Sequence, residues 1–171
     1  MSEATFSCEF FVRGEPKGQP RARAFALKRG GQTFVRMYTP GSAESWKNEI
    51  AIAARPHLPL HPLLGPIALD LEFYFERPKA HYRTGRNAGV LREDAPYWHT
   101  SKPDRDNLEK AVMDALTTLG FFKDDAQVCG GDRPPVKVYG DVAGCNIRIA
   151  QLEHARVMAF ASPEQPELLK A

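Results

Sequence analysis

The sequence is poor in several features that mark particular classes of protein. Its three cysteines, Cys8, Cys129 and Cys145, are an odd number with no close pair, so neither a disulfide framework nor a cysteine-rich zinc site is indicated. No apolar run approaches the ~18 residues that a membrane-spanning helix needs. Residues 1–5 lack the basic-then-apolar pattern of a secretion signal. We therefore expect a reducing, cytoplasmic setting and no membrane partner.

Other absences narrow the chemistry. There is no P-loop glycine pattern, so no nucleotide cofactor is expected. The five histidines are scattered; His81 and His99 lie in a basic stretch and could touch phosphate, but we expect both to be bystanders. With 171 residues, 43% of them hydrophobic, the chain can bury a core. We expect one domain over residues 1–155, followed by a mobile C-terminal extension over residues 156–171.

Charge is distributed unevenly, although the net charge is only +2. Residues 13–36 carry seven basic side chains against one acidic, and residues 77–102 carry six against two. Residues 103–125 reverse the balance, with six acidic side chains against three basic. Such runs are often plain solvated faces, but they also suit a polyanion held by the basic segments beside a bound cation. The candidate phosphate contacts are Lys17, Arg21, Arg23, Arg77, Lys79, Arg83, Arg86 and Lys102.

Apolar periodicity predicts two main helices, at about 43–55 and 107–119. Strands are predicted over 5–12, 67–75 and 143–152, with a broken strand pattern over 127–139. A hairpin of 24–27 with 33–38 is predicted around Gly30-Gly31. Residues 56–66 and 77–103 are predicted loops, and a loop as long as the second is usually functional or mobile.

The second helix has the clearest signals at its ends. Its apolar stripe recurs at helical spacing from Leu108 to Leu119. Asp106 with Glu109 fits a capping box at the start, and Gly120 suits the C-terminal stop.

The acidic residues around this helix suggest a cation site. If the segment before the helix is extended, Asp104 and Asp106 face the same side and can share a ligand. If residues 122–128 are also extended, Asp124 faces the core and Asp125 projects from the surface. Carboxylates at 104, 106 and 125 would form an oxygen-rich pocket, which suits Mg²⁺ or Mn²⁺ and suits zinc poorly.

Each of these signals also has a plain structural interpretation. Asp106 could be an N-cap, and Asp124-Asp125 could be a turn. Lys110 and Asp114 could be an ordinary surface pair one turn apart. Each interpretation is reasonable for its own residue. They do not explain well why so many carboxylates converge on one helix start, where they would repel one another without a cation.

These motifs resemble the RusA family of Holliday-junction resolvases. The matching segments are Lys-Pro-Asp-Arg-Asp-Asn-Leu-Glu-Lys at 102–110, Asp-Ala-Leu at 114–116, Asp-Asp-Ala-Gln-Val at 124–128 and, more weakly, Pro-Lys-Gly-Gln-Pro-Arg-Ala-Arg at 16–23. The resemblance implies a homodimeric, Mg²⁺-dependent endonuclease of four-way-junction or branched DNA, in which Mn²⁺ can replace Mg²⁺. It implies metal-binding, catalytic aspartates at Asp104, Asp106 and Asp125, and an active-site lysine at Lys110.

The element order and the scaffold that this resemblance implies together predict an α+β fold. We expect a small two-layer α/β sandwich, with a mixed, mostly antiparallel sheet and the two main helices. The loop 77–103 and the C-terminal extension depart from the short members of the family, which leaves the preferred substrate open.

Other functions remain possible from the sequence. A metal-dependent phosphoryl-transfer enzyme of another class can also carry an Asp-X-Asp motif, but after an apolar strand, whereas residues 98–103 here are largely polar. A calcium-binding EF-hand loop would need glycine at 109, where Glu109 stands. A non-catalytic junction-binding protein would not need the four matched active-site residues. All four are present here, which argues against that function.

Overall fold

The computed structural model describes residues 6–20, 23–30, 32–38 and 43–152. Arg21, the end of the expected domain at residue 155 and the extension over 156–171 lie outside these residues. The elements are β1 (Phe6–Arg13), β2 (Arg23–Arg29), β3 (Gln32–Tyr38), α1 (Glu44–Ala54), β4 (Ile67–Glu76), α2 (Arg105–Leu119), β5 (Val128–Gly130), β6 (Val136–Gly140) and β7 (Gly144–Gln151). Among them, no helix is long and apolar enough to cross a membrane.

A five-stranded mixed sheet forms one layer. β7 lies in the middle of three strands and pairs antiparallel with β1 on one side and β4 on the other. The far side of β4 pairs in parallel with two short strands, β5 near its start and β6 near its end. The register aligns Val12, Cys145 and Phe73 across three strands, and all three side chains are buried.

The second layer consists of the two helices, which pack on the apolar face of the sheet. The buried side chains of α1 are Trp46, Ile50 and Ala54, which recur at helical spacing on one face. The buried stripe of α2 comprises Leu108, Ala111, Val112, Ala115 and Leu116. The expected α+β sandwich with two main helices is confirmed.

The opposite face of the sheet is polar. Arg148 on β7 contacts Asp70 on β4 at 3.2 Å and also pairs with Asp132, which follows β5. Asn146 donates a hydrogen bond to Glu9 at 2.6 Å. The alternation of apolar and polar residues along the three long strands therefore separates a core from a charged surface.

Helix α2 begins two residues earlier than predicted, and its predicted capping box is wrong. Asp104 is the N-cap residue, with an extended backbone (φ −69°, ψ 146°), and its side chain makes no capping hydrogen bond. Asp106 lies in the first helical turn. Gly120 ends the helix at φ 91°, as predicted, because glycine adopts this left-handed conformation without steric cost.

The predicted extended segment 122–128 is also wrong, because a short 3₁₀ helix spans Asp125–Gln127. Asp124 caps this turn: its carboxylate accepts a hydrogen bond from the Ala126 amide at 2.8 Å, and Gln127 closes the box. Asp124 is exposed rather than core-facing. Local side-chain bonding to the backbone replaced the strand geometry on which the alternation argument depended.

Strands β2 and β3 form a separate hairpin, paired as predicted around residues 30–31. Its described side chains are exposed, including Leu27, Phe34 and Val35 at 43%, 51% and 68%. The hairpin thus presents apolar side chains, together with Lys28 and Arg36, to its surroundings.

The long loop 77–103 is fastened to β6. Tyr139 donates a backbone hydrogen bond to Tyr97 at 2.9 Å, and His99 donates one to Lys137 at 3.0 Å. The rings of His99 and Phe75 stack with centroids 3.8 Å apart. These contacts hold the end of the loop against the sheet just before the acidic segment begins.

Candidate active site

Two of the three predicted aspartates, Asp104 and Asp106, lie at the N-terminal end of α2. Asp104 precedes the helix in an extended conformation, whereas Asp106 is already helical, so the two do not share a side in the way an extended segment would require. Both side chains are exposed. A helix N-terminus carries partial positive charge, which favours carboxylates at this position.

Lys110 connects this end of the helix to Asp125. Its ammonium lies 3.2 Å from Asp114 Oδ1 and 3.8 Å from Asp125 Oδ2. Asp125 lies at the start of the 3₁₀ turn, which brings it back to α2 after the helix has ended. The structure therefore places Lys110 and Asp125 together, as the predicted site requires.

Asp114 has a second partner that the sequence did not indicate. Lys47 of α1 reaches Asp114 Oδ2 at 3.4 Å, and this lysine is only 19% exposed. Lys47, Asp114, Lys110 and Asp125 thus form a chain of alternating charges from the helix–helix contact to the surface. No sequence signal joined residue 47 to residue 114, because the contact depends on how the helices pack.

Lys137 on β6 is another residue that sequence analysis missed. Its ammonium donates hydrogen bonds to the backbone carbonyls of Ser101 and Pro103, both at 2.6 Å. Burial lowers the pKa of Lys137, while the nearby Asp104 carboxylate acts in the opposite direction. A lysine near the end of the broken strand pattern predicted over 127–139 carried no sign of this role.

The first basic segment lies against the start of α2. The amide of Gln19 donates to the carbonyl of Asn107 at 2.7 Å. Gly18 packs so closely that a Cβ there would lie 3.0 Å from Asn107 Cβ. Lys17 is exposed and its ammonium is 3.4 Å from Ser45 Oγ. Arg21 lies outside the described residues, and of Arg23 only the backbone, at the start of β2, is described.

In the second basic segment, some side chains have partners within the protein and others are exposed. Arg77 donates to the carbonyl of Pro96 at 2.8 Å and lies over the Tyr139 ring. Arg83 pairs with Glu93 at 2.9 Å. Lys79, Arg86 and Lys102 are exposed. The last three are therefore better placed than Arg77 and Arg83 to meet a ligand.

The two histidines of this segment have structural surroundings. His81 and His99 both meet the Tyr139 ring edge-on, with centroids 4.7 Å and 5.0 Å away. Burial and the charge of Lys137 lower the pKa of His99. Both side chains thus pack against the Tyr139 ring at the edge of the sheet.

The donor set fits a hard cation in its chemistry. Asp104, Asp106 and Asp125 supply carboxylate oxygens, which Mg²⁺ and Mn²⁺ prefer. In the described part of the chain, however, no three His, Cys, Asp or Glu side chains are close enough together to hold a metal ion. Ligation by all three aspartates would need their side chains to turn toward a common point.

Comparison with known proteins identifies a family. The family described as "Endodeoxyribonuclease RusA" matches residues 13–150, which include all the site residues above. A protein of Bacillus subtilis (strain 168) named "Uncharacterized protein YqaN" is 35% identical over 125 residues, covering 70% of this chain and 80% of that protein.

The two ion pairs of Asp114 should differ in strength. Lys47 is 19% exposed and Lys110 is 53% exposed, so solvent screens the first pair less. We expect a coupling free energy of about 0.5–1 kcal/mol for Lys47–Asp114 and about 0.3–0.5 kcal/mol for Lys110–Asp114. Double-mutant cycles with Lys47→Met, Lys110→Met and Asp114→Asn, measured by urea unfolding, give both values. Equal couplings, or a larger one for Lys110, would contradict this expectation.

Proposed function

The chain belongs to the RusA endodeoxyribonuclease family, and we propose that it is a Mg²⁺-dependent enzyme that resolves Holliday junctions. It would cut four-way-junction or branched DNA by paired phosphodiester hydrolysis in recombination and repair. The observation that carries this proposal is the contact of Lys110, one turn after Asp106 in α2, with Asp125 at 3.8 Å, together with the basic segment that lies against the start of the same helix. Carboxylates, an amine and phosphate-binding charges together are what metal-assisted phosphodiester hydrolysis requires.

In this proposal Asp104, Asp106 and Asp125 hold one or two Mg²⁺, for which Mn²⁺ can substitute. When bound, the metal supplies an activated water and charge compensation for the leaving 3′ oxygen. Lys110 offsets the negative charge that develops on the phosphate or orients the water. Asp114 directs Lys110 toward Asp125, and Lys47 balances the charge of Asp114. No histidine is needed as a base.

Removing the carboxylate charges should separate cleavage from binding. We expect Asp104→Asn, Asp106→Asn and Asp125→Asn each to abolish cleavage of a four-way junction in Mg²⁺. Junction binding should persist or improve, because a negative charge near phosphate is lost. Gel assays of cleavage in Mg²⁺ and of binding in EDTA measure the two effects.

The matched control is Asp141→Asn, an exposed aspartate between β6 and β7, which should cleave like the wild type. An aspartate whose asparagine variant keeps wild-type turnover does not belong to the site. If none of the three variants loses activity, the proposed metal site is wrong.

The basic segments supply phosphate contacts in this proposal. To the predicted set the structure adds Lys28 and Arg36, which are exposed on the hairpin. Arg77 and Arg83 remain in the set, although each already has a partner within the protein.

Junction affinity should therefore fall steeply with salt, by a log–log slope of roughly −0.9 for each phosphate contacted. The double variant Lys79→Glu/Arg86→Glu should weaken binding to junctions of different sequence alike and make the slope shallower. Arg55→Glu, which reverses an exposed charge at the end of α1, should change the slope little. Fluorescence anisotropy from 50 to 300 mM salt measures it, and a flat dependence would rule out the phosphate contacts.

A homodimer is part of the proposal, because a four-way junction has two-fold symmetry and one domain offers one acidic site. Of the apolar side chains of β1, Phe10 and Val12 are buried in the core, and Phe6 packs against it. Phe11 is 41% exposed on the other face of the sheet, beside Tyr74. Phe11 therefore remains available for a dimer contact.

Light scattering at micromolar concentration should give about twice the mass of one chain. Phe11→Ser should shift the equilibrium toward the monomer, because it removes an exposed aromatic surface without touching the core. A monomeric wild type that still cuts both strands of a junction in one encounter would show that the symmetry argument is wrong.

A further inference from the structure

Lys137 holds the backbone that leads into Asp104. Its ammonium bonds to the carbonyls of Ser101 and Pro103, both at 2.6 Å, and Pro103 immediately precedes Asp104. An ammonium has three donors, so two of the three are used on this short stretch. Charge-assisted bonds of this kind are stronger than bonds between neutral groups.

We propose that Lys137 is a positioning residue of the active site, which fixes the direction of the Asp104 carboxylate toward the bound metal. This inference rests on the proposed function. It adds that the metal site depends on a lysine of a sheet strand, 33 positions further along the chain and outside the matched motifs.

Asp104 needs such support because its own side chain supplies none. The carboxylate is exposed and makes no capping hydrogen bond. The backbone on either side therefore sets the direction of the Cα–Cβ bond along which the side chain leaves the chain. After Asp104, that backbone is fixed by the helix, where the amide of Leu108 donates to the Asp104 carbonyl at 3.2 Å. Before Asp104, the two carbonyls held by Lys137 perform the same task.

Lys137 itself sits on a rigid part of the fold. β6 pairs in parallel with β4 in the core sheet, where Lys137 is in register with Phe73. On its other side the Lys137 carbonyl accepts a hydrogen bond from the His99 amide at 3.0 Å. A metal ligand is placed most reproducibly when its supporting groups belong to helices and strands, as here.

A role through charge and a role through positioning predict opposite effects on cation binding when Lys137 is replaced. If Lys137 acted only through its charge, its loss would make the electrostatic potential at the aspartates more negative and strengthen cation binding. If it acts by positioning, its loss frees the segment before Asp104 and weakens cation binding. The direction of the change in metal affinity therefore distinguishes the two roles.

The experiment measures Mn²⁺ binding to the full chain without DNA, from the electron paramagnetic resonance signal of free Mn²⁺. We expect Lys137→Met to raise the dissociation constant by about tenfold or more, the usual effect of losing a group that orients a metal ligand. Lys137→Arg can still donate to both carbonyls and should stay within about threefold of the wild type. Arg55→Met, which removes an exposed charge at the end of α1, should match the wild type.

Circular dichroism fixes a temperature at which every variant is fully folded, so that weaker binding cannot reflect unfolding. If Lys137→Met does not fold, Lys137→Gln takes its place, since it removes the charge and shortens the reach. In cleavage assays the Mg²⁺ concentration for half-maximal rate should rise for the same variant, while junction affinity in EDTA changes by less than about threefold.

Unchanged or tighter Mn²⁺ binding by Lys137→Met would overturn the positioning role. Weak Mn²⁺ binding by Lys137→Arg, comparable to that of Lys137→Met, would overturn it as well. If the wild type binds Mn²⁺ and cleaves junctions while Lys137→Met does both equally well, only this inference fails. If the wild type neither binds Mn²⁺ nor cleaves, the proposed function fails and this inference fails with it.

Discussion

The packing of α2 across the sheet is the constraint on which the candidate site depends. Five side chains on one face of the helix are buried, so the helix can neither rotate nor slide without exposing them. This fixes where its first turn lies and which residues face outward. Because Asp106 and Lys110 are one turn apart on the same helix, the position of one determines that of the other.

Lysines from three different elements contact Asp114 of α2 or the backbone just before this helix. Lys110 comes from α2 itself, Lys47 from α1 and Lys137 from β6. Helix–helix packing and sheet pairing therefore both bear on the site, although Asp104 and Asp125 flank α2 and Asp106 lies in its first turn.

The sequence predicted the two helices, the hairpin and the long strands, because apolar periodicity is a local signal that burial reinforces. It failed where a side chain bonded to a neighbouring backbone group. At Asp125–Gln127, capped by Asp124, the structure has the turn that the sequence left as the alternative to an extended segment, and the N-cap of α2 is Asp104 instead of Asp106. Both errors concern the ends of elements, where a single hydrogen bond decides the conformation.

The candidate site divides in the same way. The motif residues could be chosen from sequence because they match the motifs of the family that the chain resembles. Lys47 and Lys137 could not, because their contacts span 67 and 34 positions and depend on tertiary packing. The loop 77–103 likewise showed only its basic charge in the sequence, and not that Tyr97 and His99 pair with β6.

The lysine contacts also bear on how a cation would enter the proposed site. Lys110 lies 3.8 Å from Asp125, close to where a cation bound to that carboxylate would sit. A divalent ion there would repel the ammonium, and Asp114, at 3.2 Å, offers it a partner further along the helix. If a bound cation displaced Lys110 from Asp125, the ion pair with Asp114 would remain, and the other donors of the ammonium would be available to a phosphate. Asp114 would then act as the pivot for Lys110, and Lys47 keeps that pivot in place from the neighbouring helix.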